Sequence, residues 1–149
     1  MPFVPLVALT AILATAAARN EIEFTKDTFA AVKKNVAEGK AVLVDVRSQE
    51  EWNKGHIEGS IFIPVDSLRK NVDEKKLAKV LPKNKIVYTF CVVGMRAKAT
   101  AVKLEKYGYN VRPLKPGYDE LIKAGFPNGK DEKAAVRATN ENTRQRNAR

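Results

Sequence analysis

The amino-acid sequence predicts an α/β fold: a parallel β-sheet of about five strands with helices on both faces. Two runs carry most of this expectation. Ala41–Val46 and Ile86–Phe90 are continuous apolar stretches rich in β-branched and aromatic residues, the pattern of strands buried on both sides. The segments around them place apolar residues at helical spacing behind residues suited to N-caps. Strand-like and helix-like stretches therefore alternate, the order that builds a parallel sheet through helical crossovers. At 149 residues the chain has room for one such domain with a substantial core.

Taken in order, residues 22–24 suit a short edge strand. Thr25 or Asp27 can cap a helix whose apolar positions are Phe29, Val32 and Val36, and Gly39 stops it. After the strand Ala41–Val46, Ser48 with Glu51 three residues later forms a capping box for a short helix carrying Trp52. Gly55–Gly59 reads as a turn and Ile61–Ile63 as a strand. Asp66 and Asp73 can each open a helix, the second running to about Val80 with Leu77 inward. Pro82–Asn84 turns into the strand Ile86–Phe90. Arg96–Tyr107 is helical and ends at Gly108. Val111–Leu114 is a strand, and Tyr118–Ala124 a short helix before Gly125.

The ends of the chain differ from its middle. Met1–Ala18 has no charged side chain, and Ala14-Thr-Ala16 and Ala16-Ala-Ala18 both suit a signal-peptidase site. Residues 1–18 are read as a secretory signal, with a mature chain starting near Arg19 in the periplasm. An uncleaved membrane anchor is the second reading and a buried N-terminal helix the third. Residues 22–127 form the domain. Residues 128–149 hold no aromatic residue, Leu or Ile and are read as a basic, disordered tail.

The formal charge is +10, from 27 basic and 17 acidic residues. The basic residues are spread through helical stretches, such as Lys33-Lys34 and Lys75-Lys76, and none of their runs interleaves with aromatics. This excludes a recognisable nucleic-acid motif and leaves a solvated cationic surface able to steer small anions.

Cys91 is the one cysteine and His56 the one histidine. A His/Cys metal cluster is therefore not expected. Cys91 stands at the carboxyl end of its strand, before a short loop and a helix. Backbone amides and the positive end of a helix dipole there favour the thiolate, which is the reactive form of a thiol. The alternative is a small buried hydrophobe, the commonest fate of a free cysteine. Asp45 and Arg47 also fall at a strand carboxyl end, where open α/β sheets place their sites.

The spacing Cys91-x-x-Gly94-x-Arg96 resembles the active-site loop of the single-domain rhodanese-like sulfurtransferase family. Asp45-x-Arg47 and Gly55-His56-Ile57-x-Gly59 are similar to that family's two upstream landmarks. The stretch Leu114–Pro127 is similar to its closing segment. In order, these matches cover roughly residues 22–127. The resemblance implies a Cys91 nucleophile that takes sulfane sulfur from thiosulfate, a polysulfide or another persulfide donor and passes it to cyanide or a thiol. It implies neither metal nor organic cofactor. The loop amides of Val92, Val93, Gly94, Met95 and Arg96, with the Arg96 side chain, would bind the substrate, and Arg47 would border the pocket. Arg96 could equally tie the loop to a carboxylate or carbonyl, and Arg47 could pair with Glu50 or Glu51. Asp45 and His56 would be structural.

The related dual-specificity phosphatases carry Cys-x5-Arg. The four intervening residues here make a tighter cradle, which in the family it resembles suits sulfur better than phosphate. The chain departs from the family pattern at Val92, Val93 and Met95, which are apolar where many members are basic or polar, and at Pro116 and Leu121. An uncharged loop gives thiosulfate less to hold, and its apolar surface suits docking. A sulfur carrier that serves a protein acceptor is the alternative function. No stable membrane association is expected if the N-terminal segment is removed.

Overall fold

The computed structural model describes residues 21–69 and 72–129. Residues 1–20 and 130–149, on which the signal, anchor and most of the tail expectations fall, lie outside the described residues. The chain runs α1 (Phe29–Ala37), β1 (Ala41–Asp45), α2 (Gln49–Lys54), β2 (His56–Ile57) and β3 (Ile61–Phe62). After a 3-10 turn (Val65–Leu68) come α3 (Glu74–Val80), β4 (Ile86–Phe90), α4 (Met95–Lys106), β5 (Asn110–Pro113), α5 (Tyr118–Lys123) and β6 (Asn128–Gly129). No helix among the described residues is long and apolar enough to cross a membrane.

Four strands form one parallel sheet in the order β3-β1-β4-β5. The pleat sorts side chains between two cores. Val44 and Val46 of the first strand and Val87 and Cys91 of the second point to one face. There they meet Leu68, Leu77 and, from α4, Ala97, Ala101 and Leu104. Ala41, Leu43, Tyr88 and Phe90 point to the other, against Val32 of α1 and Leu121 of α5. Helices thus cover both faces, as the unbroken apolar strands require.

Four elements differ from expectation, each for a tertiary reason. Residues 22–24 do not pair as a strand; Thr25 makes one backbone bond, its N–H to the Pro113 carbonyl at 2.9 Å, and Ile22 turns its side chain into the core. The main sheet therefore has four strands. Thr28, not Thr25 or Asp27, caps α1. The Asp27 carboxylate is taken instead by the Tyr88 hydroxyl at 2.6 Å and Arg112 at 2.8 Å. Asp66 lies within the 3-10 turn, capped by Pro64, and pairs with Arg69. Asn128 and Gly129, expected in the tail, form an antiparallel ribbon with His56 and Ile57. Asp73 caps α3 and the Ser48–Glu51 capping box is closed, both as the sequence suggests.

Candidate functional site: the Cys91 loop

The loop is fixed from three sides. β4 delivers Cys91 to the carboxyl edge of the sheet, and α4 begins four residues later with Gly94 as its N-cap. Gly94 has φ +86° and donates its N–H to Cys91 Sγ at 3.2 Å. A side chain there would be strained by that φ and would also press on the Phe24 ring at 2.8 Å. From behind, the Tyr118 N–H donates to the Cys91 carbonyl at 2.8 Å. Gly117 lies so close that a Cβ would fall 2.0 Å from the Val92 carbonyl oxygen. Gly117 is required by close approach rather than by an unusual φ.

The sulfur is buried and its surroundings are not. Cys91 is 1% exposed, whereas Val92, Val93 and Met95 are 43%, 70% and 67% exposed. The three apolar side chains face solvent, and the Gly94 N–H turns toward the sulfur. The amides of Val93, Met95 and Arg96 have no hydrogen-bond partner among the described residues, as expected at the open end of a helix. Of the loop amides, that of Gly94 bonds Sγ, so the cradle expected from the sequence has one amide engaged.

Arg96 is the one charged side chain on the loop. Its guanidinium meets Glu51 fork to fork, Nη1 to Oε2 at 2.6 Å and Nη2 to Oε1 at 2.9 Å. Oε2 also accepts the Ser48 N–H at 2.9 Å, so one carboxylate closes a helix cap and anchors the loop. The Arg96 hydrogen bond holds the Glu51 carboxyl down at about 2. Glu51, and to a smaller extent the nearby Cys91 sulfur, hold the Arg96 guanidinium above its ordinary range.

Arg47 does not pair with Glu50 or Glu51. Its backbone N–H and its Nε both reach Asp45 Oδ1, and its Nη2 reaches Asp45 Oδ2 at 2.6 Å and the Gly55 carbonyl at 2.7 Å. Both partners are buried at the end of β1, two residues apart, and both Asp45 oxygens are engaged by Arg47. Glu50 is left to the exposed Lys54. Arg47 does border a cleft of about 240 Å³, with Glu51, Lys54, Gly55, Val92, Tyr118 and Asp119. Tyr118 lies under the Arg47 guanidinium at 4.1 Å. Cys91 is not in the wall of this cleft, though its neighbour Val92 is.

His56 stacks on Trp52, ring centroids 3.9 Å apart and nearly parallel, with Nδ1 3.3 Å from the Trp52 carbonyl oxygen. It has no hydrogen bond to the Cys91 loop. Glu51 as the partner of Arg96, and Gly117 and Tyr118 as the clamp behind the loop, were not legible in the sequence as site residues. Among the described residues no group of three or more His, Cys, Asp or Glu is placed to hold a metal ion.

A cysteine-bearing loop between a parallel strand and a helix, with the spacing Cys91-x-x-Gly94-x-Arg96, defines a rhodanese-type domain. The family model described as "Rhodanese-like domain" matches residues 28–124, and the chain belongs to that family. The single-domain sulfurtransferase RDL2 of Saccharomyces cerevisiae superposes with a TM-score of 0.53. The two are 28% identical over 68% of this chain and 95% of that one. The putative sulfur carrier protein YrkF of Bacillus subtilis is 33% identical over 67 residues, 45% of this chain and 33% of that protein. The tRNA uridine(34) hydroxylase of an Enterobacter species is 27% identical over 70 residues, 47% of this chain and 20% of that protein. The chain thus spans a third or less of the length of these curated relatives.

Proposed function

We propose that this chain is a sulfurtransferase in which Cys91 carries sulfane sulfur from thiosulfate, a polysulfide or another persulfide to a thiophilic acceptor. The observation that carries the reading is the Gly94 N–H on Cys91 Sγ at 3.2 Å, at the junction of β4 and α4. Uncommitted amides beside it can bond a second sulfur atom. In the first half-reaction the Cys91 thiolate attacks the outer sulfur of the donor. A Cys91 S–S bond forms, the donor S–S bond breaks, and sulfite or a thiolate leaves with the electron pair. In the second, cyanide or a thiol attacks the outer sulfur. The Cys91 S–S bond breaks, its electron pair returns to Cys91 as thiolate, and thiocyanate or a new persulfide departs. The atoms and electrons balance without metal or cofactor. The enzyme alternates between thiolate and persulfide forms, and the first product leaves before the acceptor reacts, so ping-pong kinetics follow. Initial rates at varied donor and acceptor should give parallel double-reciprocal lines; converging lines would mean a ternary complex and refute the scheme.

A second reading is sulfur carriage to a protein acceptor with little free turnover. The exposed Val92, Val93 and Met95 around a buried thiol favour it, as does the likeness to the putative carrier YrkF. Sulfur uptake without turnover on cyanide or small thiols, but with transfer to a protein thiol, would decide for it.

A further inference from the structure

We propose that Glu51 sets donor specificity: by pairing with Arg96 it cancels the one charge on the Cys91 loop, so the site favours singly charged or neutral sulfane donors over dianionic thiosulfate. The inference rests on the sulfurtransferase reading. Arg96 is the natural cation for an anionic donor, being the charged group nearest the thiol in the loop. Both of its terminal nitrogens are spent on the two oxygens of one carboxylate. That pairing is a fork-to-fork match, the strongest geometry for these groups. What a donor meets at the mouth is then a neutral ion pair framed by exposed Val92, Val93 and Met95. A dianion loses hydration there and gains no unpaired cation in return, since Arg47 and Lys54 of the adjoining cleft are themselves paired with Asp45 and Glu50. A persulfide with an apolar substituent loses less and gains contact with the three side chains. Glu51 acts through Arg96 and is a positioning residue.

The test variant is Glu51→Gln. Gln serves at the third helical position of a capping box as Glu does, so the helix start is kept while the charge is removed. Arg96 is then unmasked. In the full chain the KM for thiosulfate should fall roughly threefold or more at low salt, with the KM for a singly charged alkyl persulfide much less affected. The gain should shrink as salt is added, because screening acts on the extra charge. A second readout needs no sulfur chemistry: the rate of Cys91 alkylation by iodoacetate relative to iodoacetamide. That ratio reports the potential at the thiol and should rise roughly twofold to fivefold in the variant. Glu38→Gln, which removes the same charge from an exposed residue paired with Lys40 at the amino end of β1, away from the loop, should move neither. A folded Glu51→Gln variant with unchanged ratio and unchanged donor preference overturns the proposal while leaving the sulfurtransferase reading intact. So does an equal change in Glu38→Gln, or a fall in kcat common to all donors. If the wild-type chain takes up sulfur from neither donor, the sulfurtransferase reading fails and donor specificity fails with it.

Discussion

Glu51 and Arg96 lie 45 positions apart and meet through two hydrogen bonds of 2.6 and 2.9 Å. The first turn of α2 is thereby tied to the first turn of α4, and the loop between Cys91 and Arg96 is held at both ends. One end is the strand that delivers the cysteine. The other is a carboxylate that already closes the Ser48 capping box. Loop position therefore depends on a charge that can be titrated.

The Glu51 carboxyl is lowered from an ordinary 4.5 to about 2, first by its hydrogen bond to Arg96. A carboxyl depressed by folding contributes stability that is fully present above 4.5 and is lost as pH falls toward about 2. Glu51→Gln should melt below wild type near neutral pH. The gap in melting temperature should close as pH is lowered through that window. Parallel melting curves across the window would show that the pair contributes nothing to stability. The side chains are about a third exposed, so the effect is modest.

Gly117→Ala should destabilise the domain by about 1–3 kcal/mol, because its new Cβ would overlap the backbone of Val92. Gly108, between α4 and β5, offers a contrast: it has open space around its Cβ position and φ +81°, so Gly108→Ala costs only backbone strain. Urea unfolding of the two variants measures the difference. Sulfur transfer in folded Gly117→Ala should fall further than stability does, since the displaced atoms belong to the Cys91 loop. Equal activity to wild type would mean the clamp is irrelevant to the site.

Asp45→Ala should cost about 3–5 kcal/mol, the penalty for leaving one member of a buried pair without its partner. Asp45 is fully buried and the Arg47 side chain 5% exposed. Glu50→Ala, which breaks an exposed pair with Lys54, should cost under about 1 kcal/mol. Chemical denaturation of both variants checks the contrast. Similar losses would mean that Asp45 and Arg47 are better hydrated than their burial indicates.

What the sequence made legible was local. β1 and β4 could be read because a strand buried on both faces must be apolar throughout. Asp73, Ser48 and Gly39 could be read because caps and stops act within a few residues. Cys91, Gly94 and Arg96 could be read because one loop holds all three. The rest was decided between distant residues. Asp27 has the chemistry of a cap, but Tyr88 and Arg112 hold it, so Thr28 caps instead. Arg47 had two carboxylates in reach along α2, and burial at the strand end chose Asp45. The clamp of Gly117 and Tyr118 on Cys91 and Val92 comes from the packing of α5, which no local spacing announces. Asn128 and Gly129 look like tail by composition; their pairing with His56 and Ile57 requires the fold.

The intact mass of the full chain after incubation with a sulfane donor tests the central claim most directly. Wild type should gain one sulfur atom on Cys91. The gain should be lost on adding cyanide, with an equal amount of thiocyanate formed. Cys91→Ser should fold and gain nothing. A wild-type mass unchanged by thiosulfate and by an alkyl persulfide, or a Cys91→Ser variant that takes up sulfur as wild type does, would contradict the account.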